Sequence, residues 1–380
     1  MRPPRHPYRP PRRQRGVAVI TALLLTTLAI SIVASLFWQQ QVEVRSMENQ
    51  RLNLQTRWIL RGALDWATLV LRQDGYDNST YTASTHVWAT PLAETRLDQY
   101  IERERVEGET FDASLSGDIE DATSRYNLRN LEIGNRIDKT HLAIFERLLS
   151  NLRINPSLAR SAANLVAASQ PVFYPDGAVD PKTGEEVGGQ ERDPAAGGNP
   201  EGESAGGAGG GGFGGAVREG EHAAVDPANT LPVSREGIGT PIKFMEVDDL
   251  LAVKGFTPEM VERLRPFVTV LPERTTVNVN TASAEVLAAA IPNYSLSEAN
   301  ALLARRRNVP WRDIEMFKRE IGVGHPVEEG TVGVKSDWFL VNSRIRLERA
   351  ALNAQALIQR GANRINIGSG GIKVVWVRQN

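Results

Sequence analysis

A chain of 380 residues, 41% of them hydrophobic and 23% charged, is long enough to bury a sizeable core and does not have the composition of a disordered polymer. It contains no cysteine, which excludes disulfides, thiolate metal sites and thiol nucleophiles together. The formal charge is −1, but residues 1–16 hold six arginines and no acid, so the remainder carries −7, and an acidic body argues against a nucleic-acid partner.

The first pattern along the chain is RRQRGVAVITALLLTTLAISIVASLFW, where the basic tract ends at Gly16 and an uncharged run extends from Val17 to Trp38. A helix over that run is about 33 Å long, enough for a bilayer core. The leader arginines all precede the run and the first charge after it is Glu43. The positive-inside rule then puts the N-terminus in the cytoplasm and the rest across the membrane. A secretory signal peptide would show small residues at a cleavage site after its apolar stretch, whereas this stretch continues into LFWQQQVEVRSMEN. No proline occurs between Pro11 and Pro91, and Gly62 is the only glycine between Gly16 and Gly75. One helix of about 85 Å, from about Val17 to Gln73, is therefore expected. Its second half carries Ile59, Ala63, Trp66 and Val70 on one stripe, with Leu60, Leu64, Ala67 and Leu71 beside it, the amphipathic pattern of a spine for a soluble domain.

A basic leader that ends in glycine directly before such a helix resembles the type IV pilin and pseudopilin class. The resemblance implies that a prepilin peptidase cuts between Gly16 and Val17 and that the new amino terminus is methylated. It also makes Thr21 a departure, because most pilins carry glutamate at this fifth mature position. A plain signal anchor with an unrelated glycine before it is the other reading of the same residues.

Strands and turns are expected from about Leu92 to Leu131, entered through a helical stretch over about Leu92 to Glu104. In ETFDASLSGDIEDATSRYNLRNL, residues Phe111, Ala113 and Leu115 alternate, and Gly117 with Asp118 marks a turn. HLAIFERLLSNL and PSLARSAANLVAAS read as two helices parted at Asn155 and Pro156, with Pro156 in a first helical turn and Leu142, Phe145, Leu148 and Leu149 on an apolar face. Between Gly184 and Gly220 glycine dominates, around GGAGGGGFGG. Such a segment cannot bury enough apolar surface to offset its ordering entropy, and it lacks the GKS/T of a phosphate loop, so a flexible insertion is expected. From Ile242 short helices follow in tandem. One stops at Gly255, one opens with Thr257 and Pro258, one is capped by Thr281, one opens with the Ser295–Glu298 capping box and one with Asp313. After Gly322, DWFLVNSRIRLE, ALNAQALIQR and IKVVWVRQ read as a closing antiparallel meander.

The string SGDIEDATSRYNLRNL resembles a signature of the minor pseudopilin K family of type II secretion systems, with Ser124, Arg125, Tyr126, Asn127 and Leu128 in the family's Asn-Leu run. The expectation is an α+β chain with a long N-terminal transmembrane and spine helix, a pilin-like antiparallel sheet and a large inserted helical subdomain. In residues, these are a cleaved leader over 1–16, the helix over 17–73, a pilin-like core from 74–137 plus 323–380, and an insertion over 138–322 with its glycine-rich loop at 184–220. The implied role is to initiate or cap the tip of a periplasmic pseudopilus by assembly, without catalysis, from the bacterial inner membrane. The implied partners are minor pseudopilins I and J, the pseudopilus, the prepilin peptidase and the inner-membrane secretion platform, with no nucleic acid. Assembly is expected to fall to Thr21, Ile59, Ala63, Trp66 and Val70. The family also binds calcium through an acid-rich stretch after the helix that ends here near Ser169. This chain has NLVAASQP there, which leaves Asp176, Asp180, Glu185 and Glu186 either to supply a calcium loop or to stand as solvated acids.

Two other functions compete. The tandem helices around NVNTASAEVLAAAI resemble helix-hairpin-helix modules, which would make the chain a DNA-binding competence-type pilin. The turn Pro292, Asn293, Tyr294, Ser295 lacks the hairpin glycine, however, and the nearby Arg305, Arg306 and Arg307 read as a solvated helix end. A plain anchored periplasmic domain is the third possibility. No enzyme constellation stands out. The histidines His6, His86, His141, His222 and His325 are dispersed without metal spacing and read as surface residues, and no serine sits in GxSxG.

Overall fold

The computed structural model describes residues 15–97, 112–169, 178–179, 186–187, 227–233, 243–361 and 371–379, with residues 15–18, 178–179, 186–187 and 227 described by backbone alone. Helix α1 (Arg15–Asp77) is one helix of 63 residues, about 95 Å long. Residues 19–51 are exposed throughout, and Leu52 is the first buried side chain. Beyond it Leu60, Leu64, Ala67 and Leu71 pack onto one face of a five-stranded sheet.

The sheet is built from β1 (Leu92–Arg96), β2 (Ala113–Asp121), β3 (Trp338–Leu347), β4 (Ala350–Arg360) and β5 (Ile372–Gln379). The strands lie side by side in chain order, each antiparallel to the next. Strand alternation decides the two faces. Phe339, Val341 and Ile345 meet α1, while Trp338 and Leu340 point the other way and pack with Ala122 and Leu271. The fold is therefore α+β, as the pattern of periods indicated.

Two local expectations give way here. Leu92–Arg96 is an edge strand, because backbone pairing with β2 overrides the helix preference of Leu-Ala-Glu; Phe111 and residues 98–104 lie outside the described residues. Gly117 and Asp118 do not turn, since β2 runs straight through them. A Cβ on Gly117 would come within 2.4 Å of the Asn342 carbonyl oxygen on β3, so the glycine permits a close backbone approach within the sheet. Asp118 accepts a hydrogen bond from Asn342 Nδ2 at 2.8 Å.

Between β2 and β3 the chain forms α2 (Lys139–Asn151), α3 (Leu158–Ala168), α4 (Pro258–Leu264), α5 (Ala284–Ala290), α6 (Leu296–Arg306) and α7 (Ile314–Ile321). These share a core that includes Phe145, Leu148, Leu149, Leu287 and Phe317. Asn127 and Asn130 tie the YNLRNL run to residues 271–275: Asn127 Nδ2 donates to Glu273 O at 2.7 Å and Asn130 Nδ2 to Thr275 O at 2.7 Å. Thr257, Ser295 and Asp313 cap their helices as expected. Helix α5 is instead capped by Ser283, because the Thr281 hydroxyl donates to Asp121 at 2.5 Å. Pro156 sits in the turn before α3, where its carbonyl accepts from Ala159 N. The glycine-rich segment 184–220 lies outside the described residues, apart from Glu186–Val187, which pairs with Ala178–Val179.

His86 and His141 are buried, not on the surface; their polar ring edges are not visible in the spacing of the histidines. Burial first, and then the charge of Arg274 against the opposing pull of Asp138, lowers the His141 pKa to about 4. The folded chain thus keeps this ring neutral while the unfolded chain takes up a proton below about pH 6.5. Stability is whole above that pH and falls as the pH drops towards about 4, by up to about 3 kcal/mol at ~1.4 kcal/mol per unit. Urea denaturation at a series of pH values across this window is the check, and His141→Gln is expected to flatten the slope.

Candidate functional site: the spine helix and the seam behind it

Gly16 and Val17 fall in the first turn of α1, and Thr21 is exposed one turn further on. Hydroxyls inside the apolar run are satisfied within the helix: Thr26 Oγ1 donates to Leu23 O at 2.9 Å, Thr27 Oγ1 to Leu24 O at 3.0 Å and Ser31 Oγ to Thr27 O at 2.9 Å. That self-satisfaction is what lets polar side chains sit in hydrocarbon. α1 is the one described helix long and apolar enough to cross a membrane.

The four soluble-half residues expected to carry assembly are divided by the structure. Ala63 is buried, and Ile59 and Val70 are half-buried against the chain's own sheet. Trp66 is 44% exposed and flanks a groove lined with Ala63, Thr90, Leu92, Leu115 and Gly117. The free apolar face of the helix lies elsewhere, on Leu54, Trp58, Leu69 and Tyr76, each at least 59% exposed. Gly62 belongs to the same ridge, with no atom near the place of its absent Cβ. A mid-helix glycine costs about 0.5–1 kcal/mol relative to alanine. The four-residue spacing of Leu54, Trp58, Gly62 and Trp66 is the sequence signal of this face, weaker than the apolar stripe that packs on the sheet.

Behind the helix runs a buried polar seam. Arg360 on β4 pairs with Asp74 of α1, donates from Nη2 to Thr82 Oγ1 at 2.9 Å and to Ser336 O at 3.0 Å, and lies over the Phe339 ring. His86 Nδ1 lies 2.9 Å from the same Asp74 carboxylate. Asn278 Nδ2 donates to Thr82 O at 3.0 Å and to Asp121 Oδ2 at 2.9 Å. Asp121 also accepts from Ser336 Oγ, Thr281 Oγ1, and both the amide and the hydroxyl of Thr123. One continuous chain of contacts thus joins the end of the spine, the sheet and the helical region.

Among the described residues no group of three His, Cys, Asp or Glu side chains is arranged to hold a metal. Asp176, Asp180 and Glu185 lie outside the described residues, and Glu186 is described by its backbone alone. The basic run is largely spent on structure. Arg306 donates to Val279 O at 2.8 Å and Ala282 O at 2.6 Å, its pKa lowered to about 10 by burial and then by Arg307. Arg305 pairs with Glu320. Asn293 adopts φ +56° in the turn where hairpin modules carry glycine.

Residues 277–335 match a family model described as type II secretion system protein K, and residues 226–273 match a second model of the same description. Type II secretion system protein K of Pseudomonas aeruginosa is 25% identical over 96% of each chain. That of Pectobacterium carotovorum is 22% identical over 93% of this chain and 95% of its own. That of Dickeya chrysanthemi is 32% identical over 31% of this chain and 36% of its own. A chain of the crystal structure of the GspK-GspI-GspJ complex from enterotoxigenic Escherichia coli superposes with a TM-score of 0.55 at 17% identity, covering 88% of this chain and 99% of that one, a likeness of fold.

Proposed function

We propose, for a chain whose likeness to type II secretion system protein K spans nearly its whole length, that it stands at the tip of a periplasmic pseudopilus and initiates or caps that fibre for the export of folded proteins. The chain is a minor pseudopilin of the K type, anchored in a membrane by α1. The finer reading has the peptidase cut before Val17, the N-terminus on the cytoplasmic side of the inner membrane and the folded body in the periplasm. There it acts without catalysis, packed with minor pseudopilins I and J.

The observation that carries the tip position is bulk. The helical region between β2 and β3 is added to the far side of a sheet that already covers α1, and so wide a body would collide with itself if repeated along a tightly wound fibre. Thr21 agrees with an end position. In a pilin fibre the glutamate at this place offsets the charged amino terminus of a neighbour, because an unpaired charge in hydrocarbon costs several kcal/mol. A subunit with no predecessor has nothing to offset. The full chain, purified from native-host membranes with the smaller minor pseudopilins, is expected to run as a one-to-one assembly by size exclusion with light scattering. Thr21→Glu is expected to bring no gain in secretion. Regular crosslinks along the fibre, at a copy number like that of the major pseudopilin, would remove the tip reading.

A further inference from the structure

Among the described residues nothing packs against Gly62. It sits within a helix of 63 residues, makes no turn, and, its own helix backbone aside, has no described atom within 4 Å of where its Cβ would be. At its i−4 and i+4 positions stand two exposed tryptophans, Trp58 at 68% and Trp66 at 44%, with Leu54 one turn below and Leu69 beside it. The result is a notch between two aromatic walls, the hole of a helix-packing surface without its knob.

We infer that this ridge, Leu54 to Leu69 with Gly62 as its notch, is the seat for the spine helix of a single smaller pseudopilin. The inference rests on the pseudopilin reading above and says which face of the helix does the packing. Continuity favours a helix as occupant. The exposed apolar run of the membrane segment continues through Val44 and Met47 to Leu54 and Trp58, and Val44 stands five whole turns before Gly62, so a helix packed alongside in the bilayer follows the same face upward. Charge selects against a second copy of this chain. Two copies inserted in the same sense and in register pack parallel, which sets Arg61 against Arg61, Asp65 against Asp65 and Arg72 against Arg72 along this side of the ridge, like charge against like at all three heights. Neither arginine has a hydrogen-bonding or ion-pairing partner among the described residues. Like charges at that distance repel, whereas a partner helix with acids at the two arginine heights would pair with both.

A photo-crosslinking residue placed in the full chain at Trp58, Gly62 or Leu69, in native-host membranes, is expected to capture one smaller pilin-like subunit through its spine helix, identified by mass spectrometry. Val377 on β5, 41% exposed, serves as the comparison position. Gly62→Leu fills the notch and is expected to lower the co-purified partner by about tenfold or more, the scale of a lost interface anchor, while leaving the melting temperature unchanged or higher. Arg61→Glu is expected to lower it as well, with recovery when the facing acid of the partner is made lysine. Capture only of lipid or of a second copy from the ridge, or undiminished co-purification of Gly62→Leu, overturns the assignment. If Val377 captures a pilin-like subunit and the ridge does not, the face is wrong and the pseudopilin reading stands. If no position captures any, both fall.

Discussion

A Gly16→Val chain is expected to accumulate in the membrane with its arginine leader still attached and to give essentially no secretion. The proposed peptidase must fit a residue without a side chain just before the scissile bond, and valine fills that space. The consequence goes beyond a missed cut. The leader carries six arginines, and drawing even one to the bilayer centre costs at least about 2.5–3.5 kcal/mol. An uncut chain is thus held in the bilayer and cannot be lifted into a fibre. Thr21→Ser, which keeps size and hydroxyl, is expected to be cut normally. N-terminal mass spectrometry of both chains from native-host membranes decides the matter, and Val17 as the first residue of the Gly16→Val protein would refute the processing site.

Arg360→Met is expected to destabilise the folded body more than the loss of any exposed ion pair. The change leaves the Asp74 carboxylate buried beside a thioether, with the His86 ring and the Asn78 amide, which donates to it at 2.9 Å, as its remaining neighbours, and leaves Thr82 Oγ1 and Ser336 O without their donor. Removing one partner of a buried ion pair costs about 3–5 kcal/mol. For a folded body of this size the melting temperature is expected to fall by roughly 10 °C. Removing both charges together, as Asp74→Leu with Arg360→Met, is expected to recover much of the loss, because the uncompensated charge is what is expensive. Calorimetry on the two single variants and the double variant measures the coupling directly, and a drop below about 2 °C for Arg360→Met would show the pair to be hydrated.

What could be read from the sequence was set by how local its cause was. The single long helix followed from the absence of proline, and the caps at Thr257, Ser295 and Asp313 from residues no more than three positions from the amide they satisfy. The closing meander showed itself by period alone. Features decided at a distance did not. Leu92–Arg96 became a strand because β2 was there to pair with it. Gly117 stayed in a strand because β3 passes so close, and Thr281 left its helix to bond Asp121, 160 positions away. The seam through Asp74, Thr82, Asp121 and Arg360 had no sequence signature, since each residue alone is an ordinary polar residue. On the spine, the strongest apolar stripe proved to serve the chain's own sheet, and the free face lay on the weaker ridge next to it.

The pairing of β2 with β3 also governs how the molecule must come into being. Asp118 and Asn342, hydrogen-bonded across these strands, are 224 positions apart, so the central pair of the sheet is among the last contacts a growing chain can make. A chain made and delivered in sequence order presents α1, β1 and β2 long before β3 and β4 follow. Through that interval Leu60, Ala67 and Leu71 have no sheet to cover them, and β2 presents an unpaired edge. The α2–α7 region has its own core and can condense meanwhile, which draws the ends of the long connection together and lowers the entropy of closing it. Arrival of the last forty or so residues then zips β3 against β2, so a chain truncated before Trp338 would leave the spine stripe bare, a sticky intermediate suited to capture by chaperones and proteases.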